Sequence, residues 1–181
     1  MEFLKLLELR QSVRAYQNRP VEPEKLEKLI EAVRLAPSAS NSQPWKLIIV
    51  DDTELKNKVS QATFSTLVSF NRFAPQAPVL AVLVIEKTRV VTQIGAMLKA
   101  REFSLIDIGI AAEHFCLQAA ELGLGSCMLG WFDEAAIKRL LHIPKSRRIG
   151  LVITLGYAEE EAPIRPKIRK ITDEMSSYNR Y

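Results

Sequence analysis

The chain has 181 residues, of which 48% are hydrophobic and 25% are charged, and its net charge is +4. This size and balance fit one globular domain and exclude an intrinsically disordered chain. No apolar run reaches the roughly 18–20 residues that a membrane helix needs, and the charged amino terminus does not resemble a secretory signal. We therefore expect a cytoplasmic protein with no membrane partner. Its two cysteines and two histidines lack the spacing of metal ligands, so we also expect no metal.

Apolar periodicity in the first half of the chain predicts three helices and two strands. A short helix ends near Arg10, and a second begins at Pro23, a residue that suits the first position of a helix. The unbroken apolar run over 79–85 predicts a strand that is buried on both faces. The other elements of this half are a strand over 45–50 and a helix over 53–61.

The longest predicted element in the second half is a helix from about Ser104 to Leu122. Ser104 and Asp107 have the spacing of a capping box, and Gly123 ends the helix. Because apolar residues occur nearly all round it, we expect a central, buried helix. A strand over 126–129, a helix over 133–141 and a strand over 148–155 follow.

The alternation of strands and helices predicts an α/β or α+β sandwich around a sheet. Residues 158–181 contain two prolines, many charges and few apolar residues. Such a segment does not fold alone. We expect residues 1–157 to form the domain and residues 158–181 to form a tail on that domain or on a partner.

The segment Arg10–Arg14 places two arginines around a serine at the end of a helix. Guanidinium groups suit a phosphate or a delocalised anion, and the serine adds a neutral donor. Taken alone, these five residues fit a solvated basic turn better.

Four more cations lie in the tail, and a small phosphorylated ligand would explain the cations at both ends. No aromatic interleaving or recognition helix indicates nucleic acid as a partner. The tail cations are Arg165, Lys167, Arg169 and Lys170.

Two further segments stand out. Residues 36–45 concentrate small hydroxyls and amides between prolines, which suits a polar heterocycle, although taken alone they fit an ordinary helix-to-strand turn better. Residues 123–130 are rich in glycine but lack the third glycine of the dinucleotide fingerprint and follow a helix, which excludes a Rossmann site. Gly130 could instead let a ligand approach the backbone closely.

These segments are more specific together than singly. The chain carries, in order, R-x-S-x-R from Arg10, A-P-S-A-x-N-x-Q-P-W from Ala36, D-x-G-x-A from Asp107, G-L-G-S-C from Gly123 and G-Y at 156–157. This series resembles the nitroreductase family of flavoproteins, over the chain from about Leu4 to Met175.

The resemblance implies an α+β fold: a nitroreductase-like mixed central sheet flanked by helices, in an intertwined homodimer with an extended C-terminal tail and FMN between the subunits. By similarity, one subunit would contact the flavin through Arg10, Gln11, Ser12 and Arg14, and the other through Pro37, Ser38, Ala39, Asn41 and Gln43. The remaining contacts would be the amide of Asn71, the backbone of Met128, Leu129 and Gly130, and the phosphate-binding cations Lys167 and Arg169.

The resemblance also implies the reaction. NADH or NADPH would deliver hydride to flavin N5, and a small acceptor such as a nitroaromatic or a quinone would then be reduced at the same place, which is a ping-pong mechanism. The flavin carries the chemistry, so no catalytic side chain is required. Two alternatives stay open: another flavin reaction on the same fold, and a flavin-binding storage or sensor module without turnover.

Overall fold

The computed structural model describes residues 2–86, 102–160 and 163–181 of the chain. The predicted alternation of helices and strands is confirmed there, with ends that differ from the prediction by one or two residues. The helices are α1 (Phe3–Leu9), α2 (Pro23–Arg34), α3 (Thr53–Gln61), α4 (Phe103–Glu121), α5 (Glu134–Leu140) and α6 (Thr172–Met175). The strands are β1 (Trp45–Val50), β2 (Val79–Ile85), β3 (Gly125–Leu129) and β4 (Arg148–Gly156).

The four strands form one sheet in the order β1-β2-β4-β3, and every neighbouring pair is antiparallel. The α+β class is confirmed. We expected a mixed sheet, but in the described residues the parallel pairing consists of one isolated bridge between Ser12 and Ser126. Residues 62–78 explain the antiparallel arrangement. They return the chain from α3 to the end at which β1 finished, so that Val50 pairs with Leu80 at the start of β2.

Helices cover both faces of the sheet. On one face α2 and α4 pack through buried residues such as Leu29 and Phe115, and on the other α3 and α5 pack through Val59 and Ile137. Successive residues of β2 point into these two clusters in turn, as predicted for a strand that is buried on both faces. Each large side chain buried in this way contributes about 1.5–3 kcal/mol.

The long helix α4 departs from its prediction at its start. Its N-cap residue is Glu102, which makes no side-chain capping bond, so the predicted capping box of Ser104 and Asp107 is wrong. Asp107 instead points inward, where its Oδ1 accepts a hydrogen bond from the amide of Ala39 at 3.0 Å. The carboxylate is therefore committed to a contact distant in sequence, which a local capping rule does not anticipate.

The two ends of α4 also differ in burial. Leu105 and Ile106 are 45% and 55% exposed, so α4 is buried over its middle and carboxyl-terminal turns only. Gly123 ends the helix as predicted: it has a φ of +74°, and the amide of Leu124 bonds the carbonyl of Ala119 in a Schellman motif. No helix in the described ranges is long and apolar enough to cross a membrane.

The tail from 163 to 181 is exposed throughout and contains one short helix, α6. Its contacts with the body are hydrogen bonds to residues 10–12 near the end of α1. Large apolar side chains of the tail stand free of the described body, namely Ile164, Ile168, Ile171, Met175, Tyr178 and Tyr181.

Candidate functional site

The segment 10–14 extends the sheet beyond β3. The amide of Val13 donates to the carbonyl of Ser126 at 3.0 Å, and the buried Val13 side chain lies against Gly125. A Cβ at Gly125 would lie 2.6 Å from Val13 Cγ2, so only glycine allows this approach. Because side chains alternate along an extended segment, Ser12 and Arg14 face away from the Val13 contact.

The tail is attached to this segment by polar contacts. Gln11 Nε2 donates to the carbonyl of Pro163 at 3.3 Å, and the amide of Arg165 donates to Gln11 Oε1 at 3.1 Å. The Arg165 guanidinium also donates to the carbonyl of Ser12, and Lys167 Nζ donates to the carbonyl of Arg10. Gln11, expected among the flavin contacts, thus positions the tail through its side chain.

Cations from both ends of the chain gather here. Partial desolvation against the body lowers the pKa of the exposed Lys167, and the neighbouring cations of Arg10 and Arg169 lower it further. Burial raises the pKa of Cys127 on β3, while nearby cations, Arg14 first and then Arg165 and Arg10, act in the opposite direction. Among these cations Arg10 has a partner on α4, because Glu113 Oε1 lies 3.4 Å from its guanidinium. The cluster therefore carries excess positive charge in the described chain and suits a polyanionic group such as a phosphate.

The loop over 37–43 is held by its own polar groups. Ser38 Oγ accepts a hydrogen bond from the amide of Gln43 at 2.9 Å, and Gln43 Nε2 donates to Asn41 Oδ1 at 3.0 Å. Ser40, Asn41 and Gln43 all have φ values between 45° and 52°, in the left-handed region that non-glycine residues rarely adopt. Pro37 and Asn41 are exposed, and Ser38 and Ala39 are partly exposed. The loop therefore has one imposed shape and presents polar groups to the outside.

Two buried polar atoms beside this loop have no hydrogen-bond partner among the described residues: Asp107 Oδ2 and Ser42 Oγ. Asp107 is 2% exposed, and leaving a buried polar group unsatisfied costs about 1–3 kcal/mol. Sequence reasoning placed Asp107 in a motif but assigned it no site role. A carboxylate between apolar neighbours on both sides, Ile106 and Ile108, was the available signal.

A third group of predicted residues lies at the end of β3. Asn71 is 4% exposed, and its Nδ2 donates to the carbonyls of Thr63 at 3.0 Å and Trp131 at 3.2 Å. Asn71 therefore fixes the segment around it against the residue that follows Gly130. Gly130 itself is exposed, and a Cβ there would meet nothing within 4 Å. Open space thus lies in front of the backbone where β3 ends.

The three groups do not all meet within one chain. The segment 10–14 and residues 128–130 both flank β3, whereas the loop over 37–43 leads into β1 at the opposite edge of the sheet. Three strand spacings separate these edges, roughly 14 Å at the usual distance between neighbouring strands. One chain therefore offers two partial sites, one rich in cations and one rich in neutral polar groups.

Comparison with known proteins places this arrangement in context. The family model described as the nitroreductase family matches residues 7–157. A protein from Archaeoglobus fulgidus with the name NADH dehydrogenase/NAD(P)H nitroreductase is 33% identical over 164 residues, which cover 88% of this chain and 87% of that protein.

Solved structures agree with this match. A nitroreductase family protein from Clostridium difficile 630 has a TM-score of 0.81 at 29% identity and covers 100% of both chains. An FMN-dependent nitroreductase from Clostridium difficile R20291 has a TM-score of 0.79 at 28% identity and covers 99% of this chain and 100% of that one. The order of the motifs, the fold and the family match agree, and the chain belongs to the nitroreductase family.

Proposed function

We propose that this protein is an NAD(P)H-dependent FMN oxidoreductase that reduces small acceptors such as nitroaromatics or quinones. The gathering of cations from both ends of the chain beside β3 carries the proposal. A phosphate dianion requires several positively charged donors, and an ordinary solvated turn would leave such cations dispersed. The names of the family relatives, NAD(P)H nitroreductase and FMN-dependent nitroreductase, support the same reading.

The residues present fit FMN. The cation cluster matches its phosphate, and the exposed backbone at Gly130 leaves room for a flat ring. The buried atoms of Asp107 and Ser42 that lack a hydrogen-bond partner fit a polar group that the described residues of one chain do not provide. In this assignment Lys167 and Arg169 join Arg10 at the phosphate, and Arg14 and Ser12 face the ring.

The loop over 37–43 would complete the site from the partner subunit, through Pro37, Ser38, Ala39, Asn41 and Gln43. Asn71 would act mainly by holding the Gly130 segment, because its amide nitrogen already binds two carbonyls. Leu129 is paired with Val152 in the sheet, whereas Gly130 is the first residue beyond it. We therefore assign to the amide of Gly130, rather than Leu129 or Met128, the hydrogen bond to the ring.

When bound, FMN supplies two-electron hydride chemistry that no side chain of this chain provides. The chain contributes electrostatics: Arg14 places a fixed positive charge where negative charge develops on reduction, which favours that reduction. The open space at Gly130 admits the nucleotide and the acceptor in turn. This alternation predicts ping-pong kinetics, with parallel lines in double-reciprocal plots.

A homodimer follows from the same proposal. Apolar side chains on α1, α2 and α4 are exposed, including Phe3, Leu4, Ile30 and Ile106. Exposed apolar surface of this kind marks an interface. We propose that residues 1–157 form the flavin-binding body and that the tail over 158–181 packs on the partner, which would cover its exposed isoleucines and tyrosines.

The test is an anaerobic visible spectrum of the protein loaded with FMN, recorded before and after addition of NADH and then NADPH. We expect retained oxidised-flavin bands that bleach rapidly with one or both nucleotides. If flavin is retained but neither nucleotide bleaches it, the reductase proposal fails and a storage or sensor role stands. If no flavin is retained, the cofactor assignment fails.

A further inference from the structure

A cleft of about 500 Å³ is lined by none of the residues assigned to the flavin. It is formed where the start of α3 meets the segments before α2 and β2. This volume falls in the range of small-molecule sites, about 300–1,000 Å³. About half of its lining is apolar, formed by residues such as Pro20, Val21, Pro75, Pro78 and Val79, and the other half is polar.

One charged side chain is buried at the wall of this cleft. Lys56 is only 7% exposed, and its Nζ donates one hydrogen bond, to the carbonyl of Pro75 at 2.7 Å. Two of its three donor hydrogens have no acceptor among the described residues. Lys58 shows the usual alternative: it lies two positions along the same helix, is exposed and is paired with Glu54.

Lys56 has no counter-charge in the described chain. None of the described carboxylates lies within ion-pair distance of its ammonium group, and burial lowers the pKa of Lys56. Lysine is almost never buried unless it is paired, because desolvation of an unpaired charge is costly. An unpaired ammonium at the wall of a cleft that is apolar on one part of its lining is therefore suited to an anion with an apolar body.

The other polar groups of the cleft define which anion fits. The Tyr16 hydroxyl is already bonded to the carbonyl of Val13 and to Thr154, so Tyr16 offers only its ring. Arg19 is paired with Glu22 and lies over the Tyr157 ring. Asp51, also lining the cleft, is a carboxylate that disfavours a second negative charge on the guest.

We propose that this cleft binds a small organic monocarboxylate with a flat apolar body, whose carboxylate pairs with Lys56. The apolar walls take the body, and the free donors of the ammonium group take the carboxylate oxygens. The site is independent of the flavin proposal, because none of its lining residues is assigned to FMN. Tyr16 places it only two residues along the chain from Arg14.

The test uses the full-length protein with FMN added, and three probes: benzoate, neutral benzamide of similar shape, and inorganic phosphate. Binding is followed by NMR of the methyl groups of Val21 and Val79, which line the cleft. We expect saturable shifts with benzoate and affinity weaker by about tenfold or more for benzamide and phosphate. The flavin absorbance is recorded in parallel, so that benzoate bound near the flavin is recognised separately.

Two variants complete the test. Lys56→Met removes the charge at similar length and should weaken benzoate binding by about tenfold or more, whereas the matched Lys58→Met should leave it unchanged. Equal affinity for benzoate and benzamide in the unaltered protein overturns the proposal, even if Lys56→Met does not fold. Unchanged benzoate binding in folded Lys56→Met, or no saturable shift at Val21 and Val79, also overturns it.

Discussion

The two partial sites of this chain are held in different ways. The loop over 37–43 is fixed from inside, by the buried Asp107 and by hydrogen bonds among its own residues. The segment 10–14 has one buried anchor, Val13, and otherwise meets an exposed tail through surface polar contacts. The fold therefore imposes the geometry of the first site. The geometry of the second site depends on charge and on the position of the exposed tail.

The largest expected effect concerns the loop over 37–43, which is fixed from inside. Asp107→Ala leaves the amide of Ala39 without its acceptor, at a cost of about 1–3 kcal/mol of stability that removal of the unpartnered Oδ2 offsets in part. The loop should then lose its imposed shape, and FMN affinity should fall by about tenfold or more. Denaturant unfolding and flavin fluorescence titration measure the two effects.

A matched control for this variant is Asp133→Ala. Asp133 also accepts a backbone hydrogen bond, from Ala136 at the start of α5, and losing this cap should cost about 1 kcal/mol. Flavin affinity should not change. If Asp107→Ala and Asp133→Ala weaken flavin binding equally, Asp107 acts through global stability and not through the loop.

The second prediction concerns the one buried anchor of the segment 10–14. Gly125→Ala would place a Cβ 2.6 Å from Val13 Cγ2, so the segment must move away from β3, at a cost of about 1–3 kcal/mol. Gly130→Ala is the matched control, because a Cβ there meets nothing within 4 Å and stability should change by less than about 0.5 kcal/mol. We expect Gly130→Ala to weaken flavin binding nevertheless. Equal loss of stability in both variants would contradict the close approach at Gly125.

The third prediction tests the surface contacts between the segment 10–14 and the tail. Lys167→Met removes one cation of the cluster and should weaken FMN binding by roughly fivefold, with a smaller dependence of affinity on salt than in the unaltered protein. Unfolding should be unaffected, because Lys167 is exposed. Lys170→Met, an equally exposed change in the same tail, serves as the control. If both variants respond alike, only the overall charge of the tail matters.

Sequence patterns were sufficient for the elements whose environment is uniform along their length. The helical periodicity from Pro23 predicted the start of α2, and the apolar run of β2 predicted both of its ends, because burial repeats with the period of the element. The motif-bearing segments were found as well. The two partial sites are separated within one chain because of the order of the strands in the sheet, and no local sequence pattern contains that order.

Residues whose role depends on distant partners were misread or missed. Asp107 was read as a cap, because sequence spacing does not show that Ala39 competes for the carboxylate. The first turn of α4, which carries Ile106, was expected to be buried with the rest of the helix, because an apolar side chain looks the same in a core and on an exposed face. Lys56 received no prediction, although its spacing to the buried Val59 and Ser60 was a usable signal.

The smallest expected effect concerns a surface contact outside both partial sites. The Tyr157 hydroxyl donates to Glu22 at 2.6 Å, and this bond, followed by the backbone and Arg19, lowers the pKa of Glu22 to about 2. A carboxyl whose folded pKa is depressed stabilises the fold above its unfolded value and loses that contribution as the pH falls towards 2. Glu22→Gln should therefore lower the Tm slightly at neutral pH, and the difference from the unaltered protein should shrink as the pH falls from about 4.5 to 2.

Glu27→Gln, an exposed change on the same helix, should show no such convergence in thermal unfolding. If the difference in Tm between Glu22→Gln and the unaltered protein does not vary with pH, the shape of the side chain matters at the Tyr157 contact and its charge does not.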